Sequence, residues 1–416
     1  MGEVESVLSV PRGESRKMKF ALISHKVPPS GTGQSLVIYR MLRDLNPESY
    51  CLISTERHDA GEPSEGPSTM LPCRYHYLPP PFRFERGYRF GLRPLREGVN
   101  IPLAVIEHRC RILDIVRREQ CGAVVACTGD VTILPAGYLA SRAAGVPFYA
   151  YLFDHYSYRE WDDPVMAFWA RRFEPFIMRG AAGIIAPNEI LRDDLRERFG
   201  VEPAVIHNSF DISPYETDGR VNIRAPSDEV SIVYTGAVYE AHFGAFRNLM
   251  AAISQLDHLH VRLHLYTNQP QETLDRENVR GAIVLHPQQS MTEMPRVQME
   301  AAILFLPLAF DSPYPDLVRT SATTKLGEYL ATRRPVLVHA PRDSFVSWYF
   351  RKHECGVVVD EDDPARLAAA IELILSDDQL CRRLIANAYE RARTDFSISA
   401  SRAAFAQLLG LDGIRR

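Results

Sequence analysis

Short apolar runs alternate with amphipathic stretches from Lys19 almost to the end of the chain. Phe20-Ala21-Leu22-Ile23-Ser24 reads as a strand and Gln34 to Leu45 as a helix. Strands Ala123 to Cys127 and Phe148 to Phe153 enclose a helix around Pro135 to Ala144. Helix Pro164 to Arg179, strand Gly183 to Ala186, helix Asn188 to Phe199 and strand Ala204 to Ile206 close a first series. Continuous apolar strands separated by helices indicate a parallel sheet covered on both faces. Residues 213–229 are polar and without period, and read as a linker.

A second series follows. Strand Val230 to Tyr234 ends at Thr235-Gly236, and Phe246 to Leu256 is a helix. Strands at Arg262 to Tyr266, Ala282 to Leu285, Ile303 to Leu306, Val336 to Val338 and Gly356 to Val359 continue it. Helices Pro364 to Leu375, Gln379 to Arg393 and Ser399 to Leu409 finish the chain. At 416 residues, two α/β domains are expected, because single cores rarely grow past about 250–300 residues. Boundaries fall at 1–17 (a polar, disordered tail), 18–212, a linker over 213–229, 230–395, and a C-terminal helix over 396–416. In doubly wound sheets ligands bind outside the carboxyl ends of the strands, so the loops there are where chemistry is sought.

Composition narrows the class without naming a chemistry. The chain is 46% hydrophobic and 24% charged, and its net charge of −4 argues against nucleic-acid binding by bulk electrostatics. Seven cysteines at scattered spacings, with no CxxC pair, suggest neither a zinc site nor a disulfide framework, and a reducing cytoplasm fits. No apolar run approaches the roughly 18 residues a membrane span needs.

Three loops carry candidate chemistry. After the first strand, Gly31-Thr32-Gly33 lets backbone approach a phosphate or sugar at a helix start. It is not a dinucleotide fingerprint, since the third glycine would fall at Leu36, and an ordinary strand-to-helix turn explains it equally. After the strand Phe148 to Phe153, Asp154 and His155 open a polar, aromatic loop of the kind that binds sugars, although turn chemistry accounts for such a pair too. Asp162-Asp163 reads as a solvated turn. The third is a long irregular loop, 311–323, leading into helix Thr324-Lys325-Leu326-Gly327-Glu328-Tyr329-Leu330-Ala331. Ser321, Thr323 and Thr324 can cap that helix and donate to phosphate. Lys325 and Glu328 share a face, so they can address one ligand or form a surface pair.

These segments, in this order, resemble nucleotide-sugar-dependent retaining glycosyltransferases of the GT-B architecture, in particular the family 4 group. The similar stretches are Pro28 to Gly33, Ala181 to Asn188, Val205-Ile206-His207-Asn208-Ser209-Phe210-Asp211, Tyr234-Thr235-Gly236, and Thr324 to Ala331 with Arg334-Pro335-Val336. The resemblance spans roughly 18–410. It implies two Rossmann-like domains facing across a cleft, with the last helix able to cross back to the first. It implies sugar transfer with retention, Glu328 on the donor ribose, and Lys325, Thr324, Thr323, Ser321 and Arg319 near the diphosphate beside Gly236. Asp154 and His155 are implied at the acceptor and reacting sugar, and Asn208 and Asp211 as turn formers. No metal or other cofactor is implied beyond the nucleotide diphosphate sugar itself.

The chain also departs from the family pattern. Thr320 stands where a partner glutamate is expected, Ala237 where an arginine is, and His242 where a phosphate-binding lysine is. Arg319, Lys325 and His242 are the remaining candidates to neutralise the diphosphate. The departures keep open a non-catalytic GT-B subunit that binds or activates a partner enzyme. Residues 82–96 interleave five arginines with four aromatic rings, a composition suited to an anionic lipid surface, and they lie in the half where the resemblance implies a sugar or lipid-linked acceptor. A loop packed on its own domain is the alternative.

Overall fold

The computed structural model describes residues 18–57, 69–84, 93–158, 161, 163–216 and 229–411. The tail 1–17, residues 85–92 of the arginine–aromatic stretch and most of the expected linker lie outside them.

The first sheet has seven parallel strands: β1 (Phe20–Ser24), β2 (Tyr50–Ser54), β3 (Arg74–Tyr77), β4 (Ala123–Cys127), β5 (Phe148–Tyr151), β6 (Gly183–Ala186) and β7 (Ala204–Val205). Its order is β3-β2-β1-β4-β5-β6-β7. The helices of this half are α1 (Gly33–Leu42), α2 (Arg93–Arg118), α3 (Ile133–Ala144), α4 (Pro164–Gly180) and α5 (Glu189–Phe199). The second sheet contains β8 (Val230–Thr235), β9 (Val261–Tyr266), β10 (Ile283–His286), β11 (Ile303–Pro307), β12 (Val336–His339) and β13 (Val357–Val359), in the order β10-β9-β8-β11-β12-β13. Around it lie α6 (Phe243–Ile253), α7 (Gln271–Arg276), α8 (Met294–Glu300), α9 (Pro315–Thr320), α10 (Lys325–Ala331), α11 (Phe345–His353), α12 (Pro364–Ser376), α13 (Asp378–Asp395) and α14 (Ile398–Leu409).

β1 and β4 are fully buried runs because helices cover both faces of a parallel sheet. In each sheet the strand order reverses beside the first strand of the unit, between β1 and β4 and between β8 and β11. Crevices open at those switch points, on the carboxyl side of the strands.

Several elements depart from the pattern reading. The loop 311–323 contains α9, started by Pro315, whose fixed φ and absent N–H suit a first helical position. Asp163 is not solvated: it is buried and N-caps α4, accepting from Val165 N at 2.8 Å, while Asp162 lies outside the described residues. The expected cap on α10 is also absent, because Thr324 has helical dihedrals and makes no side-chain cap hydrogen bond.

The last helix packs on the first half of the chain. Phe405 lies edge-on to Phe20 with ring centroids 5.8 Å apart, and Leu409 and Leu411 are buried in the same cluster. Two chain segments therefore connect the halves, and they touch. Phe210 pairs with Ser397 in an isolated parallel bridge, and Ser209 Oγ lies 2.5 Å from Ser401 Oγ. Among the described residues no helix is long and apolar enough to cross a membrane.

Candidate functional site

Lys325 opens α10 and projects toward the end of β8. Its Nζ lies 4.8 Å from the Tyr234 ring centroid. Gly236, with φ +117°, leaves the room it needs: a Cβ there would stand 2.7 Å from Lys325 Cε. The ammonium is half-buried and has no hydrogen-bond or ion-pair partner among the described residues. Burial pushes its pKa down to about 8, although Glu328 pulls the other way. His242 borders this site, buried against Tyr239 with ring centroids 4.3 Å apart. Burial, and then the charge of Lys325, hold its pKa well below the ordinary imidazole range, so it adds no positive charge.

Glu328, one turn on, is buried and doubly engaged. Arg40 of α1 reaches it from the first half, Nη2 to Oε1 at 2.5 Å. Gln298 Nε2 donates to Oε2 at 3.1 Å and also to Thr235 Oγ1, while Tyr215 OH donates to Gln298 Oε1. The carboxylate expected on a ribose is thus held directly from two elements, by Arg40 of α1 and Gln298 of α8. Between Lys325 and Glu328, Gly327 rests on the paired connections: a Cβ there would come within 2.9 Å of Phe396 and 3.0 Å of Phe210.

The two halves meet at further points. Thr32 caps α1 by accepting from Ser35 N at 3.3 Å, and a side chain at Gly33 would begin 3.6 Å from Thr324 Cγ2. Gly33 of the glycine turn and Thr324 therefore face each other, and Gly31, like Gly33, is exposed. Asn188 Nδ2 donates to Thr320 C=O at 2.8 Å, and Asn208 Nδ2 to Ala322 C=O at 2.6 Å. These amides pin the segment carrying Ser321 and Thr323, both half-buried. Thr320 is buried and back-bonds to Asp316 C=O. Asp211 accepts from Ser213 and pairs with Arg43 at 2.9 Å.

His155 lies in a second cluster. It is buried after β5, both ring nitrogens lack a hydrogen-bond partner, and Nδ1 stands 3.8 Å from Asp194 Oδ2. Burial lowers its pKa to about 4 against the pull of Asp194. Arg319 is not free for a diphosphate, since its guanidinium bonds Asp194 Oδ1 at 2.9 Å. Asp154, beside His155, is half-buried. Of the three cations and potential cations expected near the diphosphate, Lys325 alone keeps an unpartnered charge.

Arg40, Gln298 and Asp194 escape the sequence reading. Only Arg40 leaves a signal: it is a cation on the buried side of α1, among Val37, Ile38, Met41 and Leu42.

The model of Glycosyltransferase Family 4 matches residues 62–213, and that of Glycosyl transferases group 1 matches residues 229–377. The chain belongs to the family 4-like group 1 glycosyltransferases. No curated protein matches it by sequence. Among solved structures, sucrose-phosphate synthase from Thermosynechococcus elongatus is 16% identical, with TM-score 0.67, covering 94% of this chain and 98% of its own. Anabaena HepE in complex with UDP is 15% identical, with TM-score 0.65, covering 94% and 100%. A glycosyltransferase from Rickettsia africae is 12% identical, with TM-score 0.64, covering 95% and 98%. At these identities the likeness is one of fold: this glycosyltransferase has the two-domain GT-B architecture.

Proposed function

We propose that this glycosyltransferase takes a sugar from a nucleotide diphosphate sugar and transfers it, with retention at the anomeric carbon, to a hydroxyl of a saccharide or lipid-linked saccharide. The observation that carries the reading is the unpartnered ammonium of Lys325 beside Gly236. Desolvating a cation without a counter-charge is unfavourable, and an arriving diphosphate relieves that cost. The same charge stabilises the diphosphate as the glycosidic bond breaks, so the side chains require no metal for that task.

Glu328 accepts hydrogen bonds from the donor ribose through lone pairs that Arg40 and Gln298 leave free. Thr323, Thr324 and Ser321 offer hydroxyls to the phosphates, and Gly31, Thr32 and Gly33 close the site from the facing turn. His155 is neutral near pH 7, so it hydrogen-bonds the reacting sugar or acceptor and does not act as a fixed cation, with Asp154 beside it. HepE, crystallised with UDP and with UDP-glucose, makes a uridine donor the first candidate.

A thermal-shift panel of uridine, guanosine, adenosine and thymidine diphosphate sugars tests the proposal. One nucleotide should stabilise the wild type and leave Lys325→Met unmoved. The second reading, a non-catalytic subunit, is favoured by the engagement of Glu328 with Arg40. It prevails if no donor binds the folded protein.

A further inference from the structure

Along the first half of α2 the outward face is apolar where a surface helix should be polar. Leu95, Val99, Leu103 and Ile106 recur at three- and four-residue spacing and are between 36% and 71% exposed. The opposite face already supplies the core, through Ile101, Val105 and Ile112. Both flanks widen the stripe. Phe82 N–H donates to Glu107 at 2.8 Å and Phe84 N–H to Asn100 at 3.0 Å, which fastens residues 82–84 along α2. Their rings stay in solvent, edge to face at 5.2 Å. On the other side Trp169 Nε1 donates to Gly98 C=O at 3.2 Å, setting α4 beside the start of α2 with Phe168 exposed. Single exposed apolar residues are ordinary, but seven on one hydrogen-bonded surface mark a contact site.

Charge selects the occupant. Arg83 stands between the two phenylalanines, Arg109 follows Ile106, and Arg171 and Arg172 follow Phe168 on α4. The nearby carboxylates of Glu97 and Glu107 are neutralised by Arg96 and Arg111. The fringe is therefore cationic on a chain of net charge −4. A second copy meeting this face symmetrically would oppose arginine to arginine. We propose that this face docks on an anionic lipid bilayer, its apolar side chains at the headgroup boundary and its arginines on the lipid phosphates.

The docking surface adjoins a cavity of about 390 Å³ lined by Ile101, Ala104, Pro81, Arg83 and Trp161, and by Asp130 after β4. Pro81 and Arg83 line it while Phe82 and Phe84 face outward, so bilayer and cavity share one rim. An acceptor anchored in the bilayer is thereby presented to the cavity; this last step rests on the sugar-transfer reading, and the docking does not.

The full chain is floated with vesicles of phosphatidylcholine alone and with phosphatidylglycerol added. Binding is expected only with phosphatidylglycerol, and it should weaken as salt rises. Val99→Asp/Leu103→Asp, at exposed positions outside the cavity, should lower the partition coefficient at least tenfold. Arg109→Gln/Arg172→Gln should lower it about fivefold per arginine. Unchanged thermal stability and nucleotide response in these variants separate docking from the donor site. The proposal is overturned if wild type ignores phosphatidylglycerol vesicles or if Val99→Asp/Leu103→Asp binds them equally. It is also overturned if wild type is a dimer that this variant dissociates, without vesicle binding.

Discussion

Lys325→Met should make the empty protein more stable and blind to its donor. Methionine keeps the length and apolar stem of lysine and removes the charge. Burial lowers the Lys325 pKa from 10.5 to about 8, so holding the proton in the folded state costs about 3 kcal/mol near pH 7. Loss of the contact with the Tyr234 ring returns about 1 kcal/mol. The net gain is about 2 kcal/mol, or about 4–8 °C in the melting temperature of a domain of this size. The sign also fixes a pH dependence. Folded Lys325 holds its proton less tightly than the unfolded chain, so wild-type stability rises with pH between about 8 and 10.5. The gap between wild type and variant should therefore narrow from pH 7 to pH 9.5. Differential scanning fluorimetry with and without the stabilising nucleotide measures all three effects. A variant less stable than wild type, or one still stabilised by nucleotide, refutes the assignment of Lys325 as a cation waiting for an anion.

Arg40→Leu leaves the Glu328 carboxylate buried without its cation and should cost about 3–5 kcal/mol in urea denaturation. Arg40→Leu/Glu328→Leu should recover most of it, and equal losses in both would remove the pair from the account. Gly236→Ala combines a positive φ with a Cβ 2.7 Å from Lys325 Cε, so nucleotide binding by calorimetry should weaken about tenfold. His155, with its pKa at about 4, should show no ring titration between pH 5.5 and 8 by NMR. Because the unfolded chain protonates first, it destabilises the fold as pH falls from about 6.5 toward 4, and His155→Phe should flatten that slope.

Most strands of the two sheets are legible because buried parallel strands are unbroken apolar runs, as in β1, β4 and β11, although β2, Tyr50–Ser54 and equally buried, escapes the reading. β3 escapes such a reading because it is a polar edge strand, Arg74-Tyr75-His76-Tyr77, with no buried residue. α2 escapes it for a different reason. Along its first half the outward positions Leu95, Val99, Leu103 and Ile106 are apolar too and Pro102 falls inside it, so the apolar–polar contrast is carried by its second half, where Asp114, Arg117 and Arg118 are exposed. The closeness of Lys325 to Gly236 is suggested by a strand–turn motif and a helix start. The clasp on Glu328 is not, since it joins residues 288 positions apart. Nor does a pattern show that Arg319 is consumed by Asp194, because that depends on where α5 and α9 meet.

The two chain connections, bonded side by side through Phe210 and Ser397, act mechanically as a pivot with two pins. Two pins permit a swing and resist a twist. Gly327 sits on that pivot, so the residues on either side of it have a short lever arm. A swing of about 15° moves an atom about 5 Å from an axis by about 1 Å, and one about 25 Å away by about 6 Å. Lys325 and Glu328 would then hold the donor almost still while the outer cleft opens widely, admitting and releasing acceptors without dismantling the seat of the nucleotide.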